Sequence, residues 1–186
     1  MTIVFVGIAV FLFCSAILLV VPFSPPLGPK SKTEISLNRI WNGVRFAITE
    51  GRWHPSEEIK IPTANGFNAE VTRKVFMEIY GLSPEQINKL AAVGRSDDGQ
   101  ILLLDAWGRP FVFQAPICYP SGLVYTTQQG PMVIRPLPNS IWPAEQVEVQ
   151  IWSLGENGLD DRGAGDDVLP LFDASDLGTG VLVQGN

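Results

Sequence analysis

An uncharged apolar run near the N-terminus, residues 2–21, constrains the fold more than any other stretch of this sequence. As a helix it would be roughly 30 Å long, about the thickness of the hydrocarbon core of a bilayer. No Lys or Arg precedes the run and no A-x-A site follows it, which disfavours a cleavable signal peptide. We therefore predict a permanent transmembrane anchor over residues 1–22, with an uncleaved or unusual export signal as the alternative.

The distribution of charge narrows the range of partners. The length of 186 residues fits one domain. The formal net charge of −6 argues against a nucleic-acid partner, which would need a basic surface. From Glu145 onward the sequence contains nine acidic residues and a single cationic one, Arg162. The basic residues lie mainly between Lys30 and Arg109. Lys30 and Lys32 directly follow the apolar run, so a positive-inside count would keep the C-terminal part in the cytoplasm.

Hydrophobic periodicity predicts helices first and strands later. After a proline-rich spacer over residues 23–30, apolar side chains recur at helical spacing over residues 31–51, with Gly51 as the stop. Two further helices are predicted between residues 67 and 94, the second with a capping box from Ser83 to Gln86.

The later part of the chain has the pattern of short strands. Apolar segments flank the turn at residues 105–110, and two more follow near residues 122–136. Val147, Val149 and Ile151 alternate with polar residues, which predicts a half-buried strand. The fold class is thus α+β: a transmembrane helix, then a helix packed on a small antiparallel sheet with a helical insertion. The soluble domain is predicted over residues 31–180, with a tail at 181–186.

A glycine-rich acidic stretch, GENGLDDRGAGDD (residues 155–167), follows the last predicted strand. Neighbouring carboxylates repel one another, so the stretch is either a solvated loop or a cage for a cation. Calcium takes six to eight oxygen ligands, and glycines let a backbone curl its carbonyls inward. No Cys or His lies in the stretch, which disfavours zinc. Spacing alone leaves the solvated loop and the calcium cage open.

Two motifs in this order resemble the C-terminal domain of the major, G-type pseudopilin of type II secretion systems. The first is DAWGRP at residues 105–110, and the second is a strand ending in WSLGENG followed by GAGDDV. The resemblance covers residues 102–168, interrupted by a longer middle, residues 115–143, than the family has. LVVP at residues 19–22 is similar to the sequence after the family's apolar run.

The resemblance implies a pilin-like fold with a calcium-binding loop. The implied Ca2+ ligands are the side chains of Asn157, Asp166 and Asp167 and the backbone oxygens of Leu154 and Leu159, with Asp161 as a further donor. Asn157 stands where the family usually has Asp, so we expect weaker affinity. The resemblance also implies other pseudopilin or pilin-like subunits as partners. It places the protein in the inner membrane, with the soluble domain on the extracytoplasmic, periplasmic side.

The N-terminus departs from the family pattern. Phe5 occupies the position of the glutamate that pairs with a neighbour's N-terminal amine during fibre assembly, and the basic leader with its cleavage point is absent. A structural, pseudopilin-like role is the first hypothesis. The alternative is a membrane-tethered ligand-binding module that does not polymerise.

Enzymatic motifs are not found. The single histidine, His54, lies in GRWHPS, and neither a nucleophile elbow, a P-loop nor H-E-x-x-H occurs. We predict no enzymatic activity. The tryptophans at positions 41, 53, 107, 142 and 152 suggest either core packing, which we favour, or a carbohydrate groove.

Overall fold

The computed structural model describes residues 26–55, 63–127, 130–143 and 148–172. Among these residues the helices are α1 (Pro29–Thr49), α2 (Ala64–Val71), which continues into a π-helical segment (Thr72–Ile79), and the short α3 (Pro84–Ile87). The strands are β1 (Ala92–Arg95), β2 (Ile101–Leu104), β3 (Val112–Gln114), β4 (Leu123–Thr127), β5 (Gly130–Ile134) and β6 (Gln150–Trp152).

The fold prediction is corrected for the described ranges, which do not contain its membrane-spanning helix. None of the helices in the described ranges is long and apolar enough to cross a membrane. Residues 1–22, which we had assigned to that helix, lie outside the described residues, as does the tail at 181–186.

The prediction of a single antiparallel sheet is wrong. Within the described ranges the strands form three antiparallel pairs, β1 with β2, β3 with β6 and β4 with β5. The strands on either side of the turn at residues 105–110 do not form a hairpin ladder with each other, apart from one bridge between Leu104 and Pro110. The buried amide of Asn68 lies at this corner, donating to the carbonyls of Leu103 and Phe111 at 3.0 and 2.9 Å. Asn68 Oδ1 also accepts from the Leu103 N–H at 2.9 Å, so one side chain bonds the backbone on both sides of the turn.

Helix α1 confirms the predicted apolar stripe. Leu37, Ile40, Val44 and Ala47 are fully buried, because they recur at the three- and four-residue spacing that places them on one face. The helix begins at Pro29, a residue suited to a first helical turn, two residues before the predicted range. Thr33 is buried and accepts a hydrogen bond from the Ala106 N–H at 3.0 Å.

The helical insertion is shorter than predicted. The capping box from Ser83 to Gln86 is present, but α3 ends at Ile87 and residues predicted as helix form β1. Gly94, the last residue of the predicted helical range, lies inside this strand opposite Leu102. Pairing with the apolar β2 overrides the weak helical preference of this segment.

The predicted half-buried strand is buried on both faces. Gln150 is 1 % exposed, and its side chain accepts from the Leu137 N–H at 2.7 Å and donates to the Leu137 carbonyl at 3.1 Å. Its cross-strand partner Gln114 donates to the Ile134 carbonyl at 3.2 Å. These two glutamines attach the segment at residues 115–143 to the β3–β6 pair.

Candidate metal centre

The turn at residues 105–110, called the Asp105 turn below, is organised by one carboxylate. Asp105 is 2 % exposed. Its Oδ1 accepts hydrogen bonds from the backbone N–H groups of Trp107 and Arg109, both at 2.9 Å. Its Oδ2 accepts from the Ser153 hydroxyl at 2.7 Å. Every oxygen of this buried charge therefore has a donor.

The same contacts join the two sequence motifs. Ser153 directly follows β6, and its hydroxyl also accepts from the Gly155 N–H at 3.1 Å. The guanidinium of Arg109 donates to the Gly155 carbonyl. The motif at residues 105–110 and the motif that starts at Trp152 thus form one hydrogen-bonded unit, although they are far apart along the chain.

Residues 155–167, called the acidic loop below, are held at both ends. Ser153 and Val168 exchange two backbone hydrogen bonds of 3.0 Å, so the end of the loop returns beside the strand from which it leaves. Gly155 has a φ of +61°, and a Cβ there would collide with the backbone carbonyl of Asp166. Glycine is required at this position because the two ends of the loop approach so closely.

The structure brings three of the predicted ligands together. The Asn157 N–H donates to Asp166 Oδ2 at 2.7 Å, and its side-chain amide donates to Asp161 Oδ2 at 3.1 Å. Asp167 is bonded separately, accepting from the Gly163 N–H at 2.8 Å. Asn157, Asp161 and Asp166 therefore form a connected cluster, with Asp167 beside it.

The remaining predicted ligands are placed less directly. Leu154 is buried at the base of the loop, and its carbonyl accepts from the Gly158 N–H at 3.1 Å. Leu159 has a side chain 47 % exposed, and its N–H donates to Asn157 Oδ1 at 2.6 Å. The role of these two carbonyls as ligands stays a prediction.

The pKa values of the aspartates diverge. Burial raises the pKa of Asp167 to about 7, an effect that the hydrogen bond from Gly163 opposes and the charges of Asp160, Asp161 and Asp166 increase. Burial also raises the pKa of Asp160. The hydrogen bond from the Asn157 N–H lowers the pKa of Asp166. The loop thus holds one carboxylate in its charged form while its neighbour resists ionisation.

Two buried oxygens in the loop have no donor. The Oδ1 atoms of Asp166 and Asp167 are both buried, and neither accepts a hydrogen bond. A buried carboxylate oxygen without a partner is costly, and a cation is one partner that removes this cost. By this test the residues of the loop fit a calcium ion.

The acidic side chains alone do not complete a metal site. Among the described residues, no group of three or more His, Cys, Asp and Glu side chains converges closely enough to hold an ion. Calcium also accepts amide and backbone carbonyl oxygens, which are three of the six predicted donors.

Sequence reasoning missed the residues that support the loop. Asp105, Arg109 and Ser153 bind no predicted metal, yet they position the base of the loop. The signal that identifies Asp105 is its place at the start of a turn, where a short carboxylate can accept from N–H groups two and four residues on.

The tryptophans are mostly structural. Trp41, Trp142 and Trp152 are at most 3 % exposed and Trp53 is 8 % exposed, whereas Trp107 is partly exposed. Trp41 and Trp142 meet edge to face, with ring centroids 5.1 Å apart, and Phe172 packs on Trp142 at 4.9 Å. Core packing is therefore their role at four of the five positions, and a tryptophan-lined groove is not formed by these residues.

Compared with models of known protein families, with curated proteins and with solved structures, the chain matches none of them.

Proposed function

We propose that the chain is a calcium-stabilised structural subunit, similar to a pseudopilin, that works with like subunits in an apparatus of the type II secretion or type IV pilus kind. The observation that carries the proposal is the unit formed by the Asp105 turn and the acidic loop. The two motifs of the resemblance are the two halves of this unit, joined by Asp105, Ser153 and Arg109.

Calcium has a defined task in this proposal. The side chains that would hold it are Asn157, Asp161, Asp166 and Asp167, with the carbonyls of Leu154 and Leu159. When bound, the ion supplies positive charge to the donor-free oxygens of Asp166 and Asp167. This ties the end of the loop to its beginning beside β6, and the domain gains rigidity without catalysis.

The proposal places the domain outside the cytoplasm. Calcium modules with weak sites work where the ion is available at about 10⁻⁴–10⁻³ M, as it is outside cells. The substitution of a neutral Asn157 for the acidic residue of the family is consistent with such a weak site. A reporter enzyme fused after Asn186 tests this placement, and activity of a reporter that works only in the cytoplasm contradicts it.

The decisive experiment is a calcium titration of stability. The chelator-stripped protein is melted with calcium, with magnesium and without added metal. A ligand that binds only the native state stabilises it by RT ln(1 + [L]/Kd), about 2.7 kcal/mol at a hundredfold excess over Kd. We expect calcium to raise the melting temperature and magnesium to raise it much less.

Two double variants locate the effect. Asp166→Ala with Asp167→Ala should abolish the calcium response, because both donor-free oxygens are lost. Asp97→Ala with Asp98→Ala is the matched control, since it removes an adjacent pair of aspartates in an exposed hairpin turn. An equal response to calcium in both variants would show that the acidic loop is not the site.

A further inference from the structure

An open groove of about 450 Å³ runs along the first turns of α1. Its lining includes the apolar side chains of Leu27, Ile35 and Leu104 and the cationic side chains of Lys32, Arg39 and Lys89. Leu27 and Ile35 are 53 % and 40 % exposed, so the apolar part of the groove is accessible. The groove, called the α1 groove below, combines an apolar centre with three positive charges.

The cations of the α1 groove are free to meet an external anion. Among the described residues no carboxylate forms an ion pair with Lys32 or Lys89. Arg39 donates to the Lys89 carbonyl at 3.2 Å, which holds its guanidinium at the groove. The one acidic group in the lining, Asp105, is already saturated by the N–H groups of its own turn and by Ser153.

The acidic loop carries the complementary features. Leu159 has a 47 % exposed side chain and is flanked in the sequence by Glu156, Asp160 and Asp161, so the loop carries an exposed apolar residue close to acidic ones. Its one cation, Arg162, donates to the Pro136 carbonyl at 3.1 Å. Charge and apolar character thus match between the loop and the groove, which favours specific encounter.

The Asp105 turn is connected to both surfaces within one chain. Asp105 and Ala106 line the groove, while Asp105 and Arg109 fix the base of the loop through Ser153 and Gly155. Ala106 is bonded in turn to Thr33 of α1. A loop fixed at its base in this way remains available to the groove of another molecule.

We propose that the acidic loop of one copy docks in the α1 groove of a second copy, with Leu159 between Leu27 and Ile35 and the acidic side chains against Lys32 and Lys89. This inference rests on the proposed function, because it names the surfaces through which like subunits meet. One such contact is small by the standard of stable interfaces, so the pairwise affinity is low and the contact gains strength through repetition.

Site-directed cross-linking of the full chain tests the proposal. Cys14 and Cys118 are replaced by alanine, and Ile35→Cys protein is mixed with Leu159→Cys protein and a short bismaleimide in the presence of calcium. We expect a mixed dimer at least about fivefold above the control mixture, because charge and apolar contact favour the encounter. The control is Phe46→Cys, which is 48 % exposed and lies on the same helix outside the groove.

Charge reversal tests the specificity of the contact. Lys32→Glu with Lys89→Glu in the groove copy should reduce the mixed dimer to the level of the Phe46→Cys control, and Glu156→Lys in the loop copy should restore part of it. High salt should weaken the contact in the wild-type background, because exposed charges are screened. Denaturation curves of each variant verify that it is folded.

The outcomes separate the two proposals. Equal cross-linking at positions 35 and 46, or loss on charge reversal without rescue, overturns the docking contact. In a chain that carries both Ile35→Cys and Leu159→Cys, an internal cross-link without dimers also overturns it. If the melting temperature still responds to calcium in those cases, the proposed calcium role stands. If the mixed dimer forms but calcium has no effect on stability, the calcium role fails and the contact stands.

Discussion

The Asp105 turn and the acidic loop both bury carboxylate oxygens, but they differ in how many hydrogen-bond donors those oxygens receive. Both oxygens of Asp105 receive hydrogen bonds from within the protein. In the loop, Asp166 and Asp167 each keep one buried oxygen without a donor. Nearby N–H and O–H groups stabilise both oxygens of the buried carboxylate in the turn, whereas the loop provides too few donors for its own carboxylates. The turn is therefore complete by itself, and the loop leaves two oxygens without a hydrogen-bond partner.

The largest effect is expected from Asp105→Ala. Removing this side chain leaves two backbone N–H groups and the Ser153 hydroxyl without their acceptor in a buried place. We expect a loss of about 3 kcal/mol or more in the free energy of unfolding, with or without calcium. Urea denaturation measures it, and Asp98→Ala, in an exposed turn, should cost less than about 0.5 kcal/mol. Similar losses for the two variants would contradict the central role of Asp105.

The next effect compares one glycine from each region. Gly108 in the turn has a φ of +81° and no heavy atom within 4 Å of an added Cβ, so Gly108→Ala should cost about 1–2 kcal/mol of backbone strain. Gly155 has a similar φ of +61°, but its added Cβ would collide with the Asp166 carbonyl. We expect Gly155→Ala to cost at least about twice as much, since the collision adds to the strain.

The two glycine variants are compared in the same denaturation assay. Gly155→Ala should also weaken the response to calcium, because the collision displaces Asp166. If the two variants lose the same stability and keep the same calcium response, the close return of the loop is not important for folding.

Asp167→Asn is expected to change stability in opposite directions without and with calcium. The amide keeps an oxygen for the Gly163 N–H but removes the half-buried charge that faces Asp160, Asp161 and Asp166. In chelator at pH 8 we expect this variant to be more stable than the wild type by about 1 kcal/mol, a common size for a single substitution. With calcium the order should reverse, because the ion loses a charged ligand. Melting temperatures of the variant and the wild type in the two buffers measure both differences in stability.

The smallest effect is a pH dependence of the calcium-free protein. The pKa of Asp167 is raised to about 7, so between about pH 4 and pH 7 the folded protein holds a proton that the unfolded chain has released. The contribution of Asp167 to stability is therefore fully present below about pH 4 and is lost as the pH rises through 7. Asp166 acts in the opposite sense, since its lowered pKa makes its contribution disappear only as the pH falls below about 4.

This pH dependence is measured as the difference in unfolding free energy between pH 5 and pH 8 in chelator. Asp167→Asn should remove part of this decline in the free energy of unfolding, because the substitution removes the titrating carboxyl group. A decline of the same size in Asp167→Asn would assign the titration to other groups.

Local patterns in the sequence predicted local structure well. The stripe of α1 and the capping box at Ser83 are correct because both depend on residues within one or two helical turns. The six predicted ligands fall in one loop and its base, and three of them meet, since they lie within ten residues of one another. The single sheet, by contrast, was wrong in the fold prediction, and the described ranges do not contain the predicted membrane-spanning helix.

The sequence by itself determined the apolar stripe of α1, the capping box at Ser83 and the stretch where negative charge accumulates. The tertiary structure alone decided that β2 pairs with β1, that Gln150 is buried on what was predicted to be the polar face, and that Asp105 bonds Ser153. The physical reason is the distance along the chain over which each kind of interaction acts. Periodicity and capping act between neighbours, but strand partners and buried polar contacts depend on how distant segments compete for the same surface, and no single stretch contains that competition.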